Sequence, residues 1–324
     1  MALELRTRKD PHRAAVHGVH SLDGIVFTVP DLAEAVRFYE AFGLETKQVG
    51  ERLDLHTLGH PHAWASVHAA PGPKKLQYLR FGCFAEDFDA IAARIETLGV
   101  ERCAPHPLGS SDGLWVRHPD GFPVQVVVAA KSMPDVRSEK QAEPPVPLGT
   151  GASLARSRIP KVRPRRLSHV LLFSPDVSRA IRFYEDALGL RLTDRSADLV
   201  VFMHGVHGSD HHLIAMAKSD GPGLHHLSWD VASIDEVGRG MEQMYGAGFT
   251  RGWGVGRHVL GSNYFYYVRD PWNSWAEYSY DIDYVPVDLD WPAADHPGED
   301  SIYVWGPPLH PEFIVNHEAP ASAR

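Results

Sequence analysis

Three side chains in the later half of the chain, His169, His226 and Glu277, have the chemistry of metal ligands. Two neutral imidazoles and one carboxylate gathered at a point occupy one face of an octahedral ion and leave about three positions open. Such a set suits Fe(II), with Mn(II) as the other ion it accepts, and a reaction in which a substrate and O2 meet at the same centre. The chain holds 20 histidines, so histidine count alone argues little, and most of them read as solvated loop residues. The local pattern is what singles these three out. Gly223-Leu224-His225-His226-Leu227-Ser228-Trp229-Asp230-Val231 alternates apolar and polar residues as a strand does. Leu227, Trp229 and Val231 point one way, and His226, Ser228 and Asp230 the other. By the same alternation His225 shares the face of Leu227 and Trp229, which favours His226 as the ligand of the pair.

The elements that must carry these residues follow from the flanking sequence. Ser233-Ile234-Asp235-Glu236 is a capping box, and it opens a helix with Ile234, Val237, Met241 and Met244 on one stripe and Gly246 and Gly248 at its end. That helix covers the apolar face of the strand, so His226 faces a cavity. The same arrangement occurs twice. Gly24-Ile25-Val26-Phe27-Thr28-Val29, then Pro30-Asp31-Leu32-Ala33-Glu34 and Arg37-Phe38-Tyr39-Glu40 to Gly43-Leu44, is echoed by His169 to Phe173, Pro175-Asp176-Val177-Ser178 and Arg182-Phe183-Tyr184-Glu185 to Gly189-Leu190. Leu76 to Phe81, with a helix ending at Gly99, matches Leu224 to Val231; Val116 to Val127 matches Val268 to Tyr278. Each half therefore reads as two strand–helix–strands units, an α+β fold of duplicated βαβββ modules forming two half-open barrels with helices outside. At the positions of His169, His226 and Glu277 the earlier half holds Gly24, Tyr78 and Gln125. One copy offers three ligands and the other none, which predicts a working later half and a structural earlier half.

The boundaries follow: residues 1–130 as the earlier domain behind an irregular arm over 1–19, a Pro-rich linker over 131–165, the catalytic domain over 166–285, and a Pro- and Trp-rich tail over 286–324 that suits a lid. The net charge of −9 argues against a nucleic-acid or anionic-membrane partner. Cys83 and Cys103 have no metal-binding spacing and are a poor disulfide framework, and no signal peptide or membrane-length apolar run is visible, so the expected compartment is the cytoplasm.

Taken together, Leu167-Ser168-His169-Val170, Leu224-His225-His226-Leu227, the stretch from Gly256-Arg257-His258 to Tyr267, and Asp270-Pro271 leading to Ala276-Glu277-Tyr278 resemble the type I extradiol ring-cleaving catechol dioxygenases of the vicinal oxygen chelate superfamily. The resemblance covers about residues 20–285. It implies that His169, His226 and Glu277 hold Fe(II), occasionally Mn(II); that His212 is an acid/base residue; that His258 and Tyr267 contact the substrate; and that the protein is a homo-oligomer. The reaction it implies is extradiol cleavage of a catechol-type diol with O2 to a hydroxymuconic semialdehyde-type product. A hydroquinone-cleaving dioxygenase, a metal-dependent isomerase or transferase of the same superfamily, and a non-catalytic small-molecule binder are the alternatives. The turn before the glutamate, Pro271-Trp272-Asn273-Ser274, departs from the family's more usual Pro-Asp-Gly, although Asn tolerates a left-handed turn position.

Overall fold

The computed structural model describes residues 15–140 and 146–319. Most of the expected N-terminal arm, Pro144 and Pro145 of the linker, and the last five residues of the tail lie outside the described residues. The first module runs β1 (Val19–Val29), α1 (Leu32–Phe42), β2 (Glu45–Val49), β3 (Arg52–His56) and β4 (Ala65–Ala69). The second runs β5 (Lys75–Cys83), α2 (Ala85–Thr97), β6 (Leu114–Arg117) and β7 (Pro123–Val128). The later half begins with β8 (Arg166–Ser174), α3 (Val177–Arg182) continued by a π-helical turn (Phe183–Ala187), β9 (Arg191–Ser196), β10 (Val200–His204), the short β11 (Ser209–Asp210) and β12 (Ile214–Lys218). Its last module is β13 (Gly223–Asp230), α4 (Ile234–Gly246), β14 (Gly252–His258), β15 (Tyr264–Arg269) and β16 (Trp275–Tyr280). Three short strands follow: β17 (Tyr284–Val285), β18 (Ala294–Asp295) and β19 (Tyr303–Trp305).

Each half is built on one large curled sheet, and β11 pairs with β17 in a separate two-stranded sheet. The strand orders are β2-β3-β4-β1-β5-β7-β6 and β18-β9-β10-β12-β8-β13-β16-β15-β14-β19. Modules join through antiparallel pairs, β1 with β5 and β8 with β13, while each module's last main strand lies parallel to its first. The duplicated fold is the one the repeat predicts, with one departure. The second module has two strands after its helix instead of three, and a lone bridge from Arg102 to Val116 stands where the third would be. Pro105 and Pro107 in that segment lack the N–H groups a strand needs.

The helices form because caps and stripes agree. Asp31 accepts from the amides of Ala33 and Glu34, and Gly43 ends α1 with φ 106°. Ser233 accepts from the Glu236 amide, and α4 buries Val237, Gly240 and Met244, whereas Ile234 is left exposed at its first turn. A Cβ on Gly240 would lie 2.7 Å from the Tyr278 ring, so glycine lets α4 approach the sheet closely. The Arg-Phe-Tyr-Glu helix of the later half carries one more residue before its Gly-Leu than its counterpart, and the π-helical turn absorbs it. The halves share one core. Phe42 stacks on Tyr278 at 3.9 Å between ring centroids, and Phe38 meets Phe249 edge-on at 4.9 Å.

Candidate metal centre and active site

Adjacent strands bring the three candidate ligands together. β8, β13 and β16 are neighbours, and Ser228 of β13 is in register with both His169 and Glu277. Cross-strand partners project to one face, and His226, two residues before Ser228, shares it. The donor atoms of His169, His226 and Glu277 all lie within 4.8 Å of one another. Glu277 Oε2 is 3.3 Å from His169 Nε2 and 3.5 Å from His226 Nε2. Bonds of about 2.1 Å meeting at right angles would set donors about 3 Å apart, so a divalent ion fits with small closure. All three residues are buried, and neither His226 Nε2 nor Glu277 Oε2 has a hydrogen-bond partner. Buried polar atoms are rarely left unpaired, and two aimed at one point describe a coordination site. Burial opposes ionisation of Glu277, yet the neighbouring imidazoles of His169 and His258 hold its carboxyl well below the usual range. Its other oxygen accepts from Asn263 Nδ2 at 3.1 Å, which fixes the carboxylate's rotation.

Two histidine doublets orient the inner imidazoles. A bulge between Leu224 and His226 breaks the strand alternation, so His225 does not point away from the cavity but packs against Phe173 and Phe313 in its wall. His225 donates to the Phe313 carbonyl and faces His226 through Nδ1 at 2.8 Å. With its proton on the carbonyl side, His225 accepts from His226 Nδ1–H, and the lone pair of His226 Nε2 is left for a metal. The second doublet repeats the device. Asp194 accepts from His211 Nε2 at 2.9 Å, and His211 Nδ1 lies 3.0 Å from His212 Nδ1. His212 therefore donates from Nδ1, and its Nε2 is free to act as a base. Its ring lies 4.0 Å from that of His169, centroid to centroid, and burial followed by the neighbouring His169 pushes it well below the ordinary imidazole range.

His258 and Tyr267 close the other side. Tyr267 is paired across the sheet with Glu277, which settles the facing that the sequence leaves open. Burial, then the Glu277 charge, pushes its hydroxyl well above the usual range, so it keeps its proton. His258 Nδ1 donates to the Ile302 carbonyl at 2.7 Å, leaving Nε2 as an acceptor 3.0 Å from the Tyr267 hydroxyl. The tail thus touches two site histidines through backbone carbonyls, those of Ile302 and Phe313. These groups surround a cavity of about 270 Å³, with Leu171, Val200 and Phe202 on one wall and Tyr267, Leu309 and Phe313 on the other. Asp194, His211, His225, Asn263 and the tail carbonyls were not singled out from the sequence. The doublet His-His-Leu, present at both His211 and His225, is the signal that finds two of them.

The earlier half holds the matching positions in the same register. Gly24 pairs with Arg80, Arg80 with Gln125, and Tyr78 sits two residues before Arg80. Arg80 thus stands where Ser228 stands in the later half, and its guanidinium lies over Gly24, where a Cβ would meet it at 3.2 Å. Asp23 accepts from Arg80 at 2.5 Å, and Gln125 donates to Ser110 and to the Asp112 carbonyl. A fixed cation and an amide occupy the ground that the later half leaves to a coordination site.

Comparison with known proteins agrees with the two copies. The family model described as "Glyoxalase/Bleomycin resistance protein/Dioxygenase superfamily" matches residues 21–126 and again 166–278. Metapyrocatechase 2 of Cupriavidus necator is 48% identical over 303 residues, 94% of either chain. An extradiol ring-cleaving dioxygenase from B. fuscum shares the fold with a TM-score of 0.71 at 23% identity, over 94% of this chain and 83% of that one. The Mn(II)-bound glyoxalase from Novosphingobium aromaticivorans shares it with a TM-score of 0.69 at 24% identity, over 89% and 92%. The chain belongs to the Glyoxalase/Bleomycin resistance protein/Dioxygenase superfamily and, within it, to the metal-dependent extradiol ring-cleaving dioxygenases.

Proposed function

We propose that this protein opens the ring of a catechol-type diol with O2, beside one hydroxyl, at a single ferrous ion held by His169, His226 and Glu277. The observation that carries the reading is the pair of buried, unpartnered donors, His226 Nε2 and Glu277 Oε2, facing His169 Nε2 on the inner surface of the later half. A bound ferrous ion would supply a Lewis acid that lowers the pKa of a coordinated phenol and an electron path between ring and O2. The remaining work falls to side chains. His212, neutral at rest, would take a proton from the diol on Nε2 and later give it back from the same nitrogen as general acid. The Tyr267 hydroxyl donates to a substrate oxygen as charge develops on it, and His258 Nε2 accepts from a diol hydroxyl that still carries its proton. The tail over residues 286–324 acts as a lid that keeps water out. The earlier domain, residues 1–130, is structural, residues 131–165 link it to the catalytic domain over 166–285, and the product is of the hydroxymuconic semialdehyde type.

Mn(II) is the second ion this donor set accepts. The two free cysteines favour a reducing cytoplasm, and no helix among the described residues is long and apolar enough to cross a membrane. An isomerase drawing ligands from both halves is disfavoured by Gly24, Tyr78 and Gln125 at the matching positions. Anaerobic loading with Fe(II) followed by aerated catechol tests the proposal. The expected result is one O2 consumed per diol with a product absorbing visible light; a metal-loaded protein that consumes no O2 with any diol contradicts it.

A further inference from the structure

We propose that residues 291–296 of the tail are a positioning segment for His212. Through Asp194 and His211 they hold its ring in one orientation, so the segment serves the proton-transfer step and not the binding of metal or diol. This rests on the dioxygenase reading and gives the tail a task besides excluding water. The anchor is one carboxylate. Asp194 Oδ2 accepts from His211 Nε2 at 2.9 Å and from Trp291 Nε1 at 3.2 Å. Its Oδ1 accepts from the Ala294 amide at 3.1 Å and from His296 Nε2 at 2.9 Å. Three of these four donors belong to the tail, and together the four fill the lone pairs of a carboxylate. Trp291 Nε1 and the Ala294 amide can only donate, and each takes a different oxygen, so both oxygens are held as acceptors. Trp291 also meets the His211 ring edge-on at 5.3 Å between centroids. Under this cover His211 is 1% exposed and Asp194 5%. His211 then presents Nδ1 to His212 Nδ1, 3.0 Å away.

Docking alone does not call for this cluster, because the segment has separate holds on β9. β18 lies parallel to β9, and Asp295 pairs with Arg195 at 3.1 Å and accepts from the Ala197 amide at 2.7 Å. The His296 amide donates to the Arg195 carbonyl at 2.8 Å. The earlier half shows the same strand without a cover. Counted from its Gly-Leu, Gln48 of β2 stands where Asp194 stands in β9; β2 is an edge strand, and Gln48 is exposed and donates to the Gly50 carbonyl. Ala65 pairs with Ile25 as Ile214 pairs with Val170, so two residues earlier Ala63 stands where His212 stands. The tail's donors and the acid/base histidine thus occur together, in the half that carries the metal ligands. Stripped of the tail, the Asp194 carboxylate turns to water, His211 can carry its proton on either nitrogen, and His212 loses its single orientation.

The test is a double variant, Trp291→Phe with His296→Ala, which keeps a ring over His211 and removes two donors. On Fe(II)-loaded enzyme its single-turnover rate of ring opening is expected to fall at least about tenfold, while the anaerobic dissociation constant for catechol stays within about threefold of wild type. His296→Gln, whose amide can still donate, is expected to keep the rate within about threefold of wild type. Nitrogen NMR of histidine-labelled protein loaded with Zn(II), a d¹⁰ ion, gives a reading independent of turnover, with the His212 signals assigned by their loss in His212→Phe. One tautomer of His212, protonated on Nδ1, is expected in wild type and a mixture in the double variant. An unchanged rate, an affinity loss as large as the rate loss, or a single unchanged tautomer in the double variant overturns the inference and leaves the tail as a cover only. His296→Gln as slow as the double variant also overturns it. Tautomers that change as expected in a protein that opens no diol would sink the dioxygenase reading and leave the positioning role standing.

Discussion

At the scale of single residues the site depends on which nitrogen of each imidazole carries a proton. His212 and His226 are each backed by a sequence neighbour, and each neighbour is fixed by an outside acceptor, Asp194 or the Phe313 carbonyl. Both inner rings thereby turn Nε2 toward the cavity. If His212 moves the proton, His212→Phe keeps the metal and the fold but slows ring opening by about 10²- to 10⁴-fold. Single-turnover absorbance with metal analysis checks this, and unchanged turnover with full metal content removes His212 from the mechanism. His226 was legible in the sequence because alternation put it opposite a helix-covered face. His225 was misplaced by the same rule, since a bulge at Leu224/His226 is invisible to a period of two. The Asp194–His211 bond closes over 17 residues, between β9 and the bend after β11, so no local pattern announces it.

Among elements, the duplicated modules were legible because caps, stripes and terminal glycines recur in order. The second module's shortened sheet was not, although Pro105 and Pro107 mark the place. The tail was legible only as composition, since its contacts lie far from it in sequence. Glu318 shows what it does for the fold. One carboxylate accepts from the Leu76 amide at 3.0 Å and the Leu224 amide at 2.8 Å, tying the starts of β5 and β13 across the two halves. Glu318→Ala strands both amides, so the folded state should lose about 1–3 kcal/mol, read as a lower denaturation midpoint at unchanged slope. A midpoint within error of wild type would mean that water replaces the clasp.

The whole molecule joins two barrels of equal ancestry and unequal chemistry. Their seam holds buried Lys74 and Asp270, 2.6 Å apart, one from each half, with Asp270 also accepting from the amides of Trp272 and Ser274 in the turn that leads to Glu277. Buried histidines elsewhere make the fold acid-sensitive. Burial, then Arg179, pushes His118 down to about 3, and burial pushes His20 down to about 4, from an ordinary 6.5. Above 6.5 folded and unfolded chains are both neutral at these positions; below it only the unfolded chain takes the proton. Stability should therefore be full above that pH and fall as pH drops toward 4, and His118→Phe should flatten the fall in denaturant titrations. The division of labour between the halves has its own decisive measurement, anaerobic titration of Fe(II) into wild type, His226→Ala, Glu277→Ala and Gln125→Ala. One tightly held ion per chain is predicted in wild type and Gln125→Ala, and none in His226→Ala or Glu277→Ala. Two ions per chain, or tight binding that survives the loss of His226 and Glu277, would contradict a single centre in the later half.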